Sequence, residues 1–185
     1  MLENAHVLID KSVEIEGFTI FGSPHTIYNG QIARAHHNKY AYSFGCIEET
    51  CIEGKLGQMN ATHYDILVTH SPPLCIADIS HRSHRGSRAV RDAVFKMNPS
   101  LHVFGHVHPY GGNMFKLEDC PENRDKISSA GYSGRWWDSL RTTFVNAASI
   151  KTPGVGEFKG GPTPSNILRQ PVVIDMDRNT KEMLK

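Results

Sequence analysis

The sequence predicts an α/β fold, and three observations carry that prediction. An apolar run at Asp65–Thr69 ends abruptly in His70, an amphipathic stretch follows over Gly86–Met97, and a second short apolar run at Leu101–Phe104 ends in Gly105-His106-Val107-His108. Strand, helix and strand in that order, with polar residues closing both strands, is the arrangement that sets ligands at the carboxyl tips of a sheet. At 185 residues the chain is expected to be one domain spanning 1–185, since domains cluster at about 100–150 residues and a second would be undersized.

The opening is extended. His6-Val7-Leu8-Ile9, then Val13 and Ile15, and then Phe18-Thr19-Ile20-Phe21 beyond a Gly17 turn are rich in β-branched and aromatic residues, which predicts a first hairpin. Pro, His, Asn and Gly break the pattern from Gly22 to Lys39, giving a loop, and Tyr40–Phe44 is one more short strand. Ile47–Met59 is ambiguous, a short helix interrupted by Gly54 and Gly57. The continuous apolar character of Asp65–Thr69 is that of a buried strand with His70 at its tip. Within Gly86–Met97, the residues Ala89, Val90, Ala93, Val94 and Met97 recur at helical spacing, with Arg88, Arg91, Asp92 and Lys96 on the other side and Asn98-Pro99 as the stop. Leu101–Phe104 follows as a strand. Gly, Ser and charge dominate from Tyr110 to Leu140 around Trp136-Trp137, which predicts a long excursion. Thr142–Asn146 and Pro171–Ile174 are expected as closing strands, separated by a Gly/Pro-rich loop from Thr152 to Pro164.

Composition limits the function classes. Hydrophobic residues make up 39% and charged residues 21%, a globular balance, and 20 Lys+Arg against 19 Asp+Glu leave a net charge of +1. No global field therefore pulls the chain onto nucleic acid or acidic lipid. No apolar run approaches the ~20 residues of a bilayer span, and Met1-Leu2-Glu3-Asn4 lacks a signal-peptide pattern, so a cytoplasmic protein without a membrane partner is expected. Cys46, Cys51, Cys75 and Cys120 form no C-x-x-C and no regular ladder, and are expected as free thiols.

Eleven histidines are the first functional clue. His106 and His108 stand two residues apart at a strand end, where strand alternation would turn both to one face, and His70 closes the neighbouring strand. Three neutral nitrogen donors converging there suit zinc, manganese or iron, whereas a single histidine would be only a polar residue at a loop mouth. His81-Arg82-Ser83-His84-Arg85-Gly86-Ser87-Arg88 runs into the helix amino terminus, where backbone N–H groups attract phosphate and Arg85 or Arg88 could add charge-assisted bonds. A solvated basic loop explains the same residues equally well. Thr69-His70-Ser71 lacks the G-x-S-x-G elbow of a hydrolase nucleophile. No base-stacking aromatics interleave Arg82 to Arg91, so nucleic acid is not the expected partner.

Thr69-His70-Ser71-Pro72-Pro73, a helix, and then Leu101-His102-Val103-Phe104-Gly105-His106-Val107-His108 resemble the calcineurin-like metallophosphoesterases. Phe21-Gly22-Ser23-Pro24 upstream and Thr143-Phe144-Val145-Asn146-Ala147-Ala148-Ser149 downstream narrow the likeness, which runs from about Val13 through Ile174, to the metallophosphoesterase-domain-containing subfamily. The resemblance implies a two-sheet α/β sandwich flanked by helices and two divalent ions, manganese, iron or zinc, whose hydroxide attacks phosphorus in line. By motif match His70 and His106 bind one metal and His108 the other. The substrate would be a small phosphate mono- or diester such as a nucleotide.

The family's amino-terminal motifs D-x-H, G-D and G-N-H-[DE] do not occur here, for Gly112-Asn113 is followed by Met114 and lies beyond the histidines. The expectation is a carboxyl-terminal portion of the domain, its amino-terminal part missing, with Met1 just after the point where G-N-H-[DE] would end. Neutral imidazoles alone hold two divalent ions poorly, so one ion or none is expected here. His25, His36, His37 and Asp78 are the residues that could refill the site. Exposed sheet edges would favour self-association, and the rival reading is a catalytically silent, truncated interaction protein.

Overall fold

In the computed structural model, residues 5–27, 44–59, 63–80, 82–116, 140–148 and 173–184 are described. The first hairpin joins β1 (Lys11–Ile15) to β2 (Phe18–Ser23) in antiparallel register, with Val13 opposite Ile20. Its two-residue loop is Glu16-Gly17, and both residues have positive φ, 51° and 80°. That is the backbone of the primed turn whose twist matches the flanking strands, and Gly17 supplies it without a Cβ penalty. The His6–Ile9 segment, expected as strand, pairs with nothing in the sheet. Instead Leu8 lies across β2, where a Cβ on Gly22 would come within 2.5 Å of the Leu8 Cβ. Seating of the Leu8 side chain against Gly22, rather than strand hydrogen bonding, is what the apolar opening provides.

Short strands β3 (Thr26–Ile27) and β4 (Gly45–Cys46) pair in parallel, so part of the expected Gly22–Lys39 loop is strand. Of Tyr40–Phe44 only Phe44 is described; it is a turn residue whose carbonyl accepts from the Thr26 N–H at 3.0 Å. The ambiguous region resolves into α1 (Glu49–Leu56), which passes through Gly54 and ends at Gly57. Its first turn brings Cys51 back to Cys46, and the two form a disulfide with a Cα–Cα distance of 5.8 Å. This corrects the expectation of four free thiols. Cys75 is a buried thiol, and Cys120 lies outside the described residues.

Next come β5 (Ile66–Thr69), the small hairpin of β6 (Ile79–Ser80) with β7 (Ser83–His84), α2 (Arg88–Met97) and β8 (Leu101–Phe104). The Ser87 hydroxyl caps α2 by accepting from the Val90 N–H at 3.2 Å, and Asn98 ends it in the left-handed conformation. Arg91, expected on the solvent side, is 1% exposed, with its guanidinium against the Asp92 carboxylate at 3.0 Å. Phe95, one turn on, is buried as well, so α2 is covered on more of its circumference than its apolar stripe indicated. The chain then forms a 3₁₀ turn at His108–Tyr110, β9 (Asn113–Lys116) and β10 (Thr143–Asn146). The expected long excursion therefore opens as strand; residues 117–139 lie outside the described set. Of Pro171–Ile174, Pro171 and Val172 lie outside the described residues, Val173 and Ile174 are not strand, and the pairing nearby is a lone bridge between Met176 and Met183. That turn docks on the first hairpin, where the Lys181 ammonium sits 4.5 Å from the centre of the Phe18 ring.

The described strands assemble a mixed six-stranded sheet in the order β1-β2-β5-β8-β10-β9, with β2, β5, β8 and β10 parallel. This is the α/β class expected, with α2 as the crossover between β5 and β8. Phe21, Leu67, Phe104 and Phe144 on one face share a buried core with Ile52 and Leu56 of α1 and Val90, Val94 and Met97 of α2. The opposite face carries Val68 and Met114, 37% and 49% exposed. Register sets Ser23 beside Thr69 and Asn146 beside Phe104, so the carboxyl ends of four parallel strands open on one edge of the sheet.

Candidate functional site at the carboxyl ends of the parallel strands

His70 leaves β5 between two neighbours that fix its backbone. Its N–H donates to the Ser23 carbonyl at 3.2 Å, and its own carbonyl accepts from the Gly105 N–H at 3.1 Å. The Thr69 hydroxyl donates to the Ser71 carbonyl at 2.7 Å, bridging the two residues that flank His70. Beyond β8 the chain departs from strand geometry at Gly105. His106 has φ 64°, a left-handed backbone that costs a non-glycine residue about 1–3 kcal/mol and is found where surrounding contacts impose it. Those contacts come from β10 and the residue that follows it: the buried Asn146 side-chain amide donates to the Val107 carbonyl at 2.9 Å, and the Ala147 N–H donates to the Phe104 carbonyl at 2.6 Å.

The result is an apposed pair of imidazoles, with His70 Nε2 3.2 Å from His106 Nδ1 and the two rings at 63°. Both side chains reach the surface, yet surrounding chain strips water from them. Burial first, and then the charge of His108, lowers the His70 pKa below its ordinary value. Burial likewise lowers that of His106, followed by the charges of His70, His108 and Arg85. Both rings are held neutral at neutral pH, with lone pairs available. Strand alternation does not govern His106 and His108, because neither lies in a strand: His106 is a bend and His108 opens the 3₁₀ turn. His108 nonetheless stays close enough for its charge to act on both other histidines.

The two arginines diverge. Arg85 is exposed and acts on His106, whereas Arg88 stands exposed 4.0 Å from Glu53. The N–H groups at the start of α2 already have an anion, for the Glu49 carboxylate accepts from the Ser87 hydroxyl at 2.7 Å and from the Arg88 and Ala89 N–H groups at 3.1 Å. Of the residues considered for refilling the site, Asp78 is buried and spent on the Cys75 and Gly86 N–H groups and on His84. His25 is paired with Asp10 at 2.9 Å. His36 and His37 lie outside the described residues.

An ion bonded to two nitrogens at ~2.1 Å each, across the 3.2 Å separation, would subtend about 100° between them, an angle open to tetrahedral and octahedral ions alike. The separation is that of one edge of a single coordination sphere, and the same two nitrogens stand at hydrogen-bond distance, one ring donating to the other. Among the described residues no group of three or more His, Cys, Asp or Glu side chains forms a fuller cage. Sequence reasoning passed over His102 and the support role of Asn146. The signal was available for the first, since a histidine inside the apolar run Leu101–Phe104 of an internal strand needs a reason.

No family model matches the chain. It is similar over 113 residues to a UPF0046 protein of Caenorhabditis elegans, at 31% identity, covering 60% of this chain and 34% of that protein. Over 117 residues it is 31% identical to metallophosphoesterase domain-containing protein 1 of Homo sapiens, covering 62% of this chain and 32% of that one. Probable rhamnogalacturonate lyase C of Emericella nidulans is 27% identical over 205 residues, which cover 99% of this chain and 17% of that protein. The chain therefore spans about a third or less of these curated relatives. No helix among the described residues is long and apolar enough to cross a membrane.

Proposed function

We propose that this chain carries part of the centre of a metal-dependent phosphoesterase, with His70 and His106 as ligands of one divalent ion, manganese, iron or zinc. The observation that carries the proposal is the apposition of His70 Nε2 and His106 Nδ1 at the carboxyl tips of adjacent parallel strands. Distant likeness to proteins named for a metallophosphoesterase domain supports the same chemistry. When bound, the ion supplies a hydroxide nucleophile at neutral pH and neutralises phosphoryl oxygens. The chain's own part is to hold two neutral donors in a fixed orientation and to present the Arg85 guanidinium to a phosphate oxygen. The same likeness would assign His108 to a second ion, and one ion per chain is what is proposed here. The substrate is a small phosphate ester, for which a phosphodiester serves as the probe.

The two-sheet sandwich of that family needs a second layer against the sheet face where Val68 and Met114 are exposed. The second reading is a catalytically silent, truncated interaction protein that retains part of the fold. Metal analysis of the purified chain, followed by hydrolysis of a chromogenic phosphodiester with added manganese, separates the two. Bound metal lost on His106→Ala supports the proposal; a chain that takes up no divalent ion overturns it.

A further inference from the structure

We infer that His102 is a positioning residue, whose imidazole inside β8 orients the Thr69 hydroxyl that braces the backbone on both sides of His70. His102 Nε2 lies 2.9 Å from Thr69 Oγ1. Thr69 has one hydroxyl proton, and it goes to the Ser71 carbonyl at 2.7 Å. Toward His102 the hydroxyl oxygen can therefore only accept, which makes Nε2 the protonated nitrogen and leaves Nδ1 with a bare lone pair. Among the described residues that Nδ1 has no hydrogen-bond partner. It sits in a wholly buried ring packed near Phe104 and Phe144, with centroid separations of 5.1 and 6.0 Å.

An apolar side chain of similar size would satisfy this part of the core better, because a buried acceptor without a partner is destabilising. A local rule broken inside a well-packed core marks a residue kept for another reason. What His102 supplies is one hydrogen bond to Thr69, and Thr69 leads straight to His70. Thr69 Oγ1 then reaches past His70 to Ser71, whose own hydroxyl donates to Thr26 Oγ1 at 2.8 Å. The chain of contacts runs from the core of β8 to the turn that aims the His70 ring at His106. Supports of this kind, one step behind a ligand, typically change metal affinity by 10–100-fold when removed.

The inference rests on His70 being a ligand, and its test separates the two ideas. His102→Leu removes the donor, His102→Gln keeps an amide donor near the position of Nε2, and Thr69→Val removes the acceptor from the other side. Each full chain is titrated with Mn²⁺ by calorimetry, melted thermally, and followed by amide exchange at His70 and Gly105 without metal. The expected result is about tenfold weaker Mn²⁺ binding and about tenfold faster exchange at both amides for His102→Leu and Thr69→Val. His102→Gln should restore both, and the melting point of His102→Leu should be unchanged or higher. Unchanged affinity and exchange in His102→Leu and Thr69→Val would overturn the inference. So would losses that follow a lowered melting point and are not recovered by His102→Gln. If the unaltered chain binds no Mn²⁺, the ligand reading fails by itself, and exchange at His70 and Gly105 still decides the role of His102.

Discussion

Acid should begin to destabilise this protein through His102 before it protonates the carboxylates. Complete burial lowers the His102 pKa from 6.5 to about 3 in the folded chain. Between those values the unfolded chain binds a proton that the folded chain refuses, so stability is fully present above pH 6.5 and drains away as pH falls toward 3. Each pH unit inside that window is worth about 1.4 kcal/mol, which gives a loss of about 2 kcal/mol between pH 8 and pH 5 from this group alone. His70 and His106 are shifted in the same direction, so the wild-type slope contains their contributions as well. The difference between wild type and His102→Leu isolates the buried ring. Urea denaturation at pH 8, 6.5 and 5 should show the variant as stable as wild type or more so at pH 8, and more stable by a further ~2 kcal/mol at pH 5. Parallel curves, with the same pH dependence in both proteins, would mean that His102 is protonated or solvated in the folded state and that the tautomer argued for it is wrong.

Three further outcomes follow from the site and the sheet. Arg85→Ala should weaken inhibition of manganese-dependent turnover by inorganic phosphate, while Arg88→Ala, beside Glu53, should leave it within twofold; equal effects on phosphate titrations would contradict the division between them. The chain alone should hydrolyse phosphodiesters slowly, because each absent preorganised charge costs on the order of 100-fold, and fast manganese-dependent kinetics abolished by His106→Ala would show that other residues complete the site. The apolar area exposed at Val68 and Met114 should drive self-association at about 25 cal/mol per Å² buried, visible as a rising mass in light scattering across a concentration series. A monomer at every concentration, unfolding cooperatively, would show that the chain covers this face itself.

Much of the frame was legible because it depends on local pattern. Ala89, Val90, Ala93, Val94 and Met97 repeat at helical spacing, and they form the buried stripe of α2. Two apolar runs flanking that helix had to be neighbouring parallel strands, and this brings His70 against His106. Features set by long-range geometry were not legible. Glu49 caps α2 from 39 residues away through the Arg88 N–H, and no spacing rule announces such a partner. Cys46 and Cys51 meet because α1 starts between them and turns back. The backbone of His106 enters the left-handed region under the hold of β10, so the alternation expected for a continuing strand could not apply. Arg91 faces the interior because α2 is covered on a second side, which the apolar stripe alone does not reveal.

Calorimetric titration of Mn²⁺ into the purified chain at pH 7.5, with His106→Ala beside it, bears on the metal centre without relying on turnover. The His70–His106 pair predicts one ion bound per chain, with His106→Ala losing that binding because a single remaining imidazole cannot hold the ion. No heat of binding in the unaltered chain, or a titration indistinguishable between the two proteins, would contradict it.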